Sequence, residues 1–190
     1  MQHILGLDVS TSCTGWTIIG HDMSILASGY VRLNKEKSSY KKAISMREVL
    51  CDLYNAYDIS DVFIEENLQA FRPGLSSAKT LSTLARFNGI VSFLCFEIFN
   101  IEPVHLNVNH ARKSLGIKIK RKKDGGAPTK QQVYEWVLDD CKTKNAKISF
   151  PNKTLKSGPR KGQVILDDAS YDMADSYVIA LAGTKSLCSV

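Results

Sequence analysis

Apolar and polar positions along this chain switch between a period of two and a period near 3.6, and the switches mark out its elements. Residues 4–9 are apolar except for Asp8 and read as a buried central strand. Turn-forming Ser10, Thr11, Ser12 and Gly15 follow, then a second strand at 16–19, a Gly20-His21-Asp22 turn, and a third strand over 25–33. Three short strands joined by turns make an antiparallel meander. Residues 38–57 change to helical spacing, with Ala43, Met46, Val49, Leu50 and Leu53 along one side. A short apolar strand at 61–65 ends on Glu65. After a turn at 71–74, the pattern predicts a long helix over 76–99, with Ser76 or Ser77 as its cap. A strand at 103–106 and a short helix over 108–115 come next. Residues 116–128 read as a basic loop or hairpin, and Thr129 as the N-cap of a helix over 130–141. A second basic loop spans 142–162, and a last helix runs from Asp167 or Asp168 to about Ala182. A meander followed by alternating strands and helices, with no internal repeat or linker, predicts one α/β domain over 1–190 built on a mixed sheet.

Charge changes this picture more than composition does. The hydrophobic share of 44% is ordinary for a globular chain, and 190 residues suffice for one core. The longest apolar stretch, 87–99, is interrupted by Gly89, Ser92 and Glu97, so no membrane contact is expected. The first residues read as a strand rather than a signal peptide. The five cysteines, at 13, 51, 95, 141 and 188, are widely spaced and contain no C-x-x-C pair. Reduced thiols and a cytoplasmic location, in a bacterium or a phage-infected host, are the expectation. The net charge is +6, but it is unevenly spread: residues 111–161 hold 15 Lys/Arg against 4 Asp/Glu, and the rest of the chain holds 10 against 15. Positive charge concentrated in one third of a chain suits a phosphate-rich partner.

Three elements carry acids in unusual settings. Asp8 interrupts an apolar strand, where an unpaired carboxylate is costly to bury. Glu65 and Glu66 close another strand, and alternation puts them on opposite faces, so at most one shares a site with Asp8. Position in the strand leans towards Glu65. Asp172 and Asp175 lie at i and i+3 among apolar residues of the last helix, on the same side. Like charges this close repel, and a shared cation would relieve them. Two Mg²⁺ or Mn²⁺ ions require hard oxygen ligands from several elements and would suit phosphodiester hydrolysis. The four histidines are scattered, without ligand spacing.

These motifs in this order resemble the RuvC-type Holliday-junction resolvases of the RNase H-like (retroviral integrase) superfamily. Residues 4–16 look like the family's opening strand and turn, and Ile64-Glu65 like its second motif, which favours Glu65 over Glu66. The helix around 76–99 is similar to the family's homodimer helix, and residues 172–180 to its closing metal-binding helix. The resemblance implies a mixed five-stranded sheet flanked by helices. It implies Asp8, Glu65, Asp172 and Asp175 as catalytic ligands of two Mg²⁺ or Mn²⁺ ions, and a homodimer that cuts four-way DNA junctions with paired nicks. DNA contacts are expected from Arg112, Lys113, Lys118, Lys120, Arg121, Lys122, Lys123 and Lys130, with Phe71 near the junction centre. The basic segments around 117–128 and 142–162 look longer than in the typical bacterial form, which suits a divergent viral or phage type acting on other branched DNA as well. A related nuclease acting on RNA would use the same acids, and a non-catalytic junction-binding protein should have lost some of them. The opening turn also resembles the phosphate loop of actin-like ATPases and sugar kinases, but those need a second domain and a second loop.

Overall fold

Strands β1 (His3–Asp8), β2 (Cys13–Gly20) and β3 (Ile25–Arg32) form the antiparallel meander in the computed structural model, which describes residues 2–66 and 78–188. β4 (Ile59–Glu65) pairs in parallel with the free edge of β1, and β5 (Val104–Leu106) in parallel with β4. The resulting sheet is mixed and five-stranded, in the order β3-β2-β1-β4-β5. Alternation then sorts the side chains. Leu5, Leu7, Ile18, Val62 and Ile64 enter one core, under helices α1 (Ser39–Ala56) and α2 (Ala78–Phe99). Ile4, Ile19 and Phe63 enter the other, under α5 (Ala169–Leu187) with α4 (Thr129–Thr143) and α3 (Val108–Ser114) beside it.

α5 lies unusually close to the sheet because two glycines let it. A Cβ at Gly6 would stand 2.5 Å from the Ser176 carbonyl oxygen, and one at Gly15 would stand 2.0 Å from that of Asp172. Any larger residue at either position would hold the helix backbone off. Between them the buried hydroxyls of Thr17 and Ser176 share a hydrogen bond of 2.8 Å, so the approach leaves no orphaned polar group there.

Several boundaries differ from the sequence reading. β2 starts at Cys13, so the turn before it is shorter than predicted. Thr129 does not cap α4: it is the first helical residue, and Pro128 occupies the cap position without a side-chain bond. α5 continues to Leu187, because burial persists through Thr184. Residues 116–128 form no hairpin and contain one 3-10 turn at Lys122–Asp124. The segment 142–162 is not all loop: β6 (Asn152–Thr154) pairs antiparallel with β7 (Val164–Leu166) in a second, two-stranded sheet. Three-residue strands such as Asn-Lys-Thr are too short and polar to produce an alternation signal. α2 is long and apolar enough to cross a membrane by length and composition, since Gly89 and Ser92 do not interrupt it. Its inner side is nevertheless committed to the sheet through Phe87, Val91, Leu94 and Cys95. The turn at 71–74, the caps Ser76 and Ser77, and Phe71 lie outside the described residues.

Candidate active site

Strand parity brings the acids to one face. Ile4, Gly6 and Asp8 point towards α5, and Gly15 lies opposite Asp8 on β2. On β4, Phe63 points towards α5, so Glu65 does as well and Glu66 does not. The β1–β4 register, Gly6 with Phe63 and Leu7 with Ile64, sets Asp8 beside Glu65 when carried one residue further. Asp172 and Asp175 descend from the first turns of α5, over Gly15. Glu66 turns away, and Asn107 Nδ2 donates to its carboxylate at 3.4 Å.

The electrostatics show how strongly the four acids feel one another. Burial pushes Asp8 well above the usual carboxylate range, and the charges of Glu65, Asp175 and Asp172 push the same way against Lys130. Burial and then Asp175 raise Glu65 to about 7, against the pull of Arg112 and Lys130. Burial also raises Asp172, although the Cys13 thiol donates to it and Lys130 attracts it. The Cys13 thiol is itself pushed up by burial and by Asp172.

Two cations partly offset this repulsion. Arg112 Nη2 donates to Asp175 Oδ1 at 2.9 Å, and the Arg112 side chain is only 14% exposed. Its Nε has no partner among the described residues. Lys130 Nζ, more exposed, lies 3.9 Å from Asp172 Oδ1. Four carboxylates against two cations leave a negative excess. Among the described residues no group of three or more acidic, histidine or cysteine side chains is arranged, as it stands, to hold a metal ion. The donor chemistry still fits divalent cations: four hard oxygen ligands from three elements, held together against their own repulsion.

The expected DNA-contacting residues divide into two groups. Lys113, Lys118, Lys120, Arg121, Lys122, Lys123 and Lys130 are exposed, whereas Arg112 is folded into the acid cluster. The loop that displays Lys118 to Lys123 is held in place. Gln132 accepts from Lys120 N at 2.8 Å and donates to the carbonyls of Lys120 and Ala127 at 2.9 and 2.6 Å. Buried Ile117 pins its start.

Sequence reasoning missed Cys13, Gln132 and Asn88. Asn88, 3% exposed, donates to the Glu65 carbonyl at 3.2 Å and accepts from His105 Nε2 at 3.1 Å. It ties α2 and β5 to the end of β4. The available signal was an amide beside Phe87 on the buried side of an apolar helix. Nothing in the sequence separates Arg112 from its surface neighbours.

The fold is the RNase H-like fold. Solved structures that share it include RuvC of Thermus thermophilus in complex with a Holliday junction substrate, at TM-score 0.65 and 13% identity over 99% of this chain and 96% of that one. A second Thermus thermophilus RuvC structure matches at TM-score 0.61 and 14% identity, over 98% and 96%. The yeast mitochondrial Holliday junction resolvase matches at TM-score 0.53 and 13% identity, over 96% of this chain and 77% of that one. No family model and no curated protein matches the sequence. What these likenesses establish is the fold, a mixed five-stranded sheet flanked by helices.

Proposed function

We propose that this chain is a divalent-metal-dependent endonuclease that resolves four-way DNA junctions, working as a homodimer through α2. The observation that carries the reading is the carboxylate cluster: Asp8 and Glu65 from adjacent parallel strands, and Asp172 and Asp175 from α5, with burial first and mutual charge second raising the proton affinities of Asp8, Glu65 and Asp172. The RNase H-like fold shared with junction resolvases supports it, and so does the basic surface that leads into α4.

Asp8, Glu65, Asp172 and Asp175 would hold two Mg²⁺ or Mn²⁺ ions. Such ions supply a water nucleophile at neutral pH and stabilise the leaving oxygen of an in-line displacement. The protein's own groups do the rest. Asn88 fixes the backbone at Glu65, and the close packing at Gly15 fixes the height of Asp172 above the strands. Lys130, exposed and beside Asp172, is placed to meet a phosphate as it enters. Lys113 at the end of α3, and Lys118, Lys120, Arg121, Lys122 and Lys123 on a loop that Gln132 keeps ordered before DNA arrives, bind neighbouring phosphates. Two copies of this site in a dimer would nick two strands symmetrically, leaving 5′-phosphate and 3′-hydroxyl ends.

A panel of linear, flap, three-way, four-way and RNA–DNA substrates, with Mg²⁺ and with Mn²⁺, tests the reading. Paired nicks at symmetric positions of the four-way junction are expected. Cleavage of RNA–DNA hybrid with every branched DNA left intact would overturn it. Asp8→Asn and Asp175→Asn should each lower cleavage at least a hundredfold while junction binding persists.

A further inference from the structure

The β6–β7 hairpin has no part in the site described above, yet the fold invests in holding it. Residues 142–166 contain seven Lys/Arg and no acid. Lys156, Arg160 and Lys161 crowd its tip, all exposed, and none forms an ion pair among the described residues. Gly158 and Gly162 take positive φ of 80° and 88° there. The turn is closed by Leu155 N donating to Gln163 O at 2.9 Å and Gly162 N donating to Leu155 O at 2.8 Å. A lone two-stranded hairpin is marginally stable in water, and like charges gathered at its tip weaken it further.

Its root is correspondingly secured. Asp167 N and Ser170 Oγ both donate to the Pro151 carbonyl, at 3.0 and 2.9 Å. Buried Asp167 pairs with Arg32 at 2.8 Å, and Lys153 pairs with Asp168. Phe150 stacks edge-on against Tyr134, which meets Tyr171 in the same manner, at ring separations of 4.9 and 5.9 Å. The arm is therefore joined to β3, α4 and α5 together.

The place of its root follows from chain order. The hairpin leads directly into the first turn of α5, which carries Asp172. The basic loop ending at Pro128 leads directly into the first turn of α4, which carries Lys130. Lys130 and Asp172 lie 3.9 Å apart, so the roots of both basic elements converge on the rim of the carboxylate site. At ~3.3 Å per residue, the tip reaches about 20 Å from the root. That distance corresponds to roughly six phosphates along one DNA strand.

We propose that the β6–β7 hairpin is a second phosphate-binding arm, which grips a duplex arm of the branched DNA through Lys156, Arg160 and Lys161, away from the scissile bond. The proposal rests on reading the site as a nuclease for branched DNA. Charge complementarity selects the occupant: a duplex presents the dense, regular phosphates that three unpaired cations on a rigid support can meet together.

The test is binding without metal, so that cleavage does not intervene. A four-way junction with long arms is compared with one whose arms are trimmed to about five base pairs, shorter than the hairpin's ~20 Å reach. The variant carries Lys156→Ala, Arg160→Gln and Lys161→Ala, with an unchanged melting temperature as the check on folding. On long arms it should bind about tenfold more weakly at moderate salt, with a log–log salt slope shallower by roughly 2 to 3. On trimmed arms it should bind as the wild type does. Equal binding to the long-armed junction would overturn the proposal, as would an equal loss on both substrates. Photocrosslinking from p-benzoylphenylalanine at Ser157 removes no charge, and it should label arm DNA; labelling confined to the crossover would also overturn the proposal. A wild type that binds but cuts no branched DNA would sink the nuclease reading while leaving the arm in place. A wild type that neither binds nor cuts would sink both.

Discussion

Glu65 shows what clustering does to a carboxylate and what a cation would then contribute. An unfolded glutamate releases its proton near 4.5, whereas the folded one, buried and beside Asp175, does so at about 7. The folded state binds the extra proton between those values, so stability is full below pH 4.5 and is lost as pH rises through 7. The metal-free protein should therefore melt at lower temperature at pH 8 than at pH 5.5. Mn²⁺ should restore the loss, with a larger shift at pH 8, followed by thermal melts. Asp8→Asn removes one repelling charge and should raise the metal-free melting temperature at pH 8 by about 3–6 °C, equivalent to roughly 1–2 kcal/mol, while abolishing the Mn²⁺ response. A lower melting temperature would mean that Asp8 does not bear this repulsion. Arg112 supplies a second prediction. Bound to Asp175 at 2.9 Å, it would compete with a metal ion held there as proposed. Arg112→Gln should destabilise the metal-free protein by about 3 kcal/mol, because Asp175 loses its counter-ion. It should also tighten Mn²⁺ binding about tenfold, read by spin-resonance titration. Unchanged or weaker Mn²⁺ binding would rule out the competition. At this scale the sequence was partly informative. Parity puts Glu65 and Glu66 on opposite faces, but which of them joins Asp8 follows only from the β1–β4 register; Arg112 likewise sits beside Lys113 in a basic run, and no local pattern marks which of the two turns inward.

Helix α5 is the element on which the site depends, and its height over the sheet is set by residues with no side chain to pack. Its burial on nearly every side from Met173 to Thr184 follows from its composition, and so does its place at the centre of one face. Its closeness does not, since Gly6 and Gly15 are compatible with any strand pattern until the helix is placed over them. Gly15→Ala puts a methyl group 2.0 Å from the Asp172 carbonyl oxygen, and backbone cannot yield as a side chain does. The expected cost is about 2–3 kcal/mol in denaturant melts, together with loss of the Mn²⁺-induced stabilisation as Asp172 is lifted from Asp8. A variant that lost stability but kept the full Mn²⁺ response would show that the approach serves packing alone. The long periodic elements were legible because twenty or so residues average out local noise. The β6–β7 pair was not, because three-residue strands carry no period and Arg32, which helps anchor them, is 135 residues away from Asp167 in sequence.

Seen as a whole, the molecule presents an apolar stripe on α2 that its own core does not use. On the outer side of α2, Phe93 is 62% exposed and Phe96 50%, with Ser82, Ala85 and Gly89 continuing the same stripe. Gly89 has nothing within 4 Å of where a Cβ would stand. A glycine inside a helix costs about 0.5–1 kcal/mol relative to alanine, so an untouched one fits a position where another backbone comes close. α2 is also the helix that Asn88 bonds to the Glu65 carbonyl, so a partner seated on its outer side would stiffen the strand end that carries an acid of the proposed site. Sedimentation should accordingly show a dimer. Phe93→Glu should give monomers with a nearly unchanged melting temperature when metal-free, since the ring buries little in the chain itself. Its junction cleavage should fall to single, uncoupled nicks. Gly89→Ala distinguishes close approach from simple apolar contact: the added methyl should stabilise the isolated helix by up to about 1 kcal/mol yet weaken the dimer. A dimer strengthened by that methyl would mean that the partner meets α2 through the two phenylalanines and stands clear of its backbone.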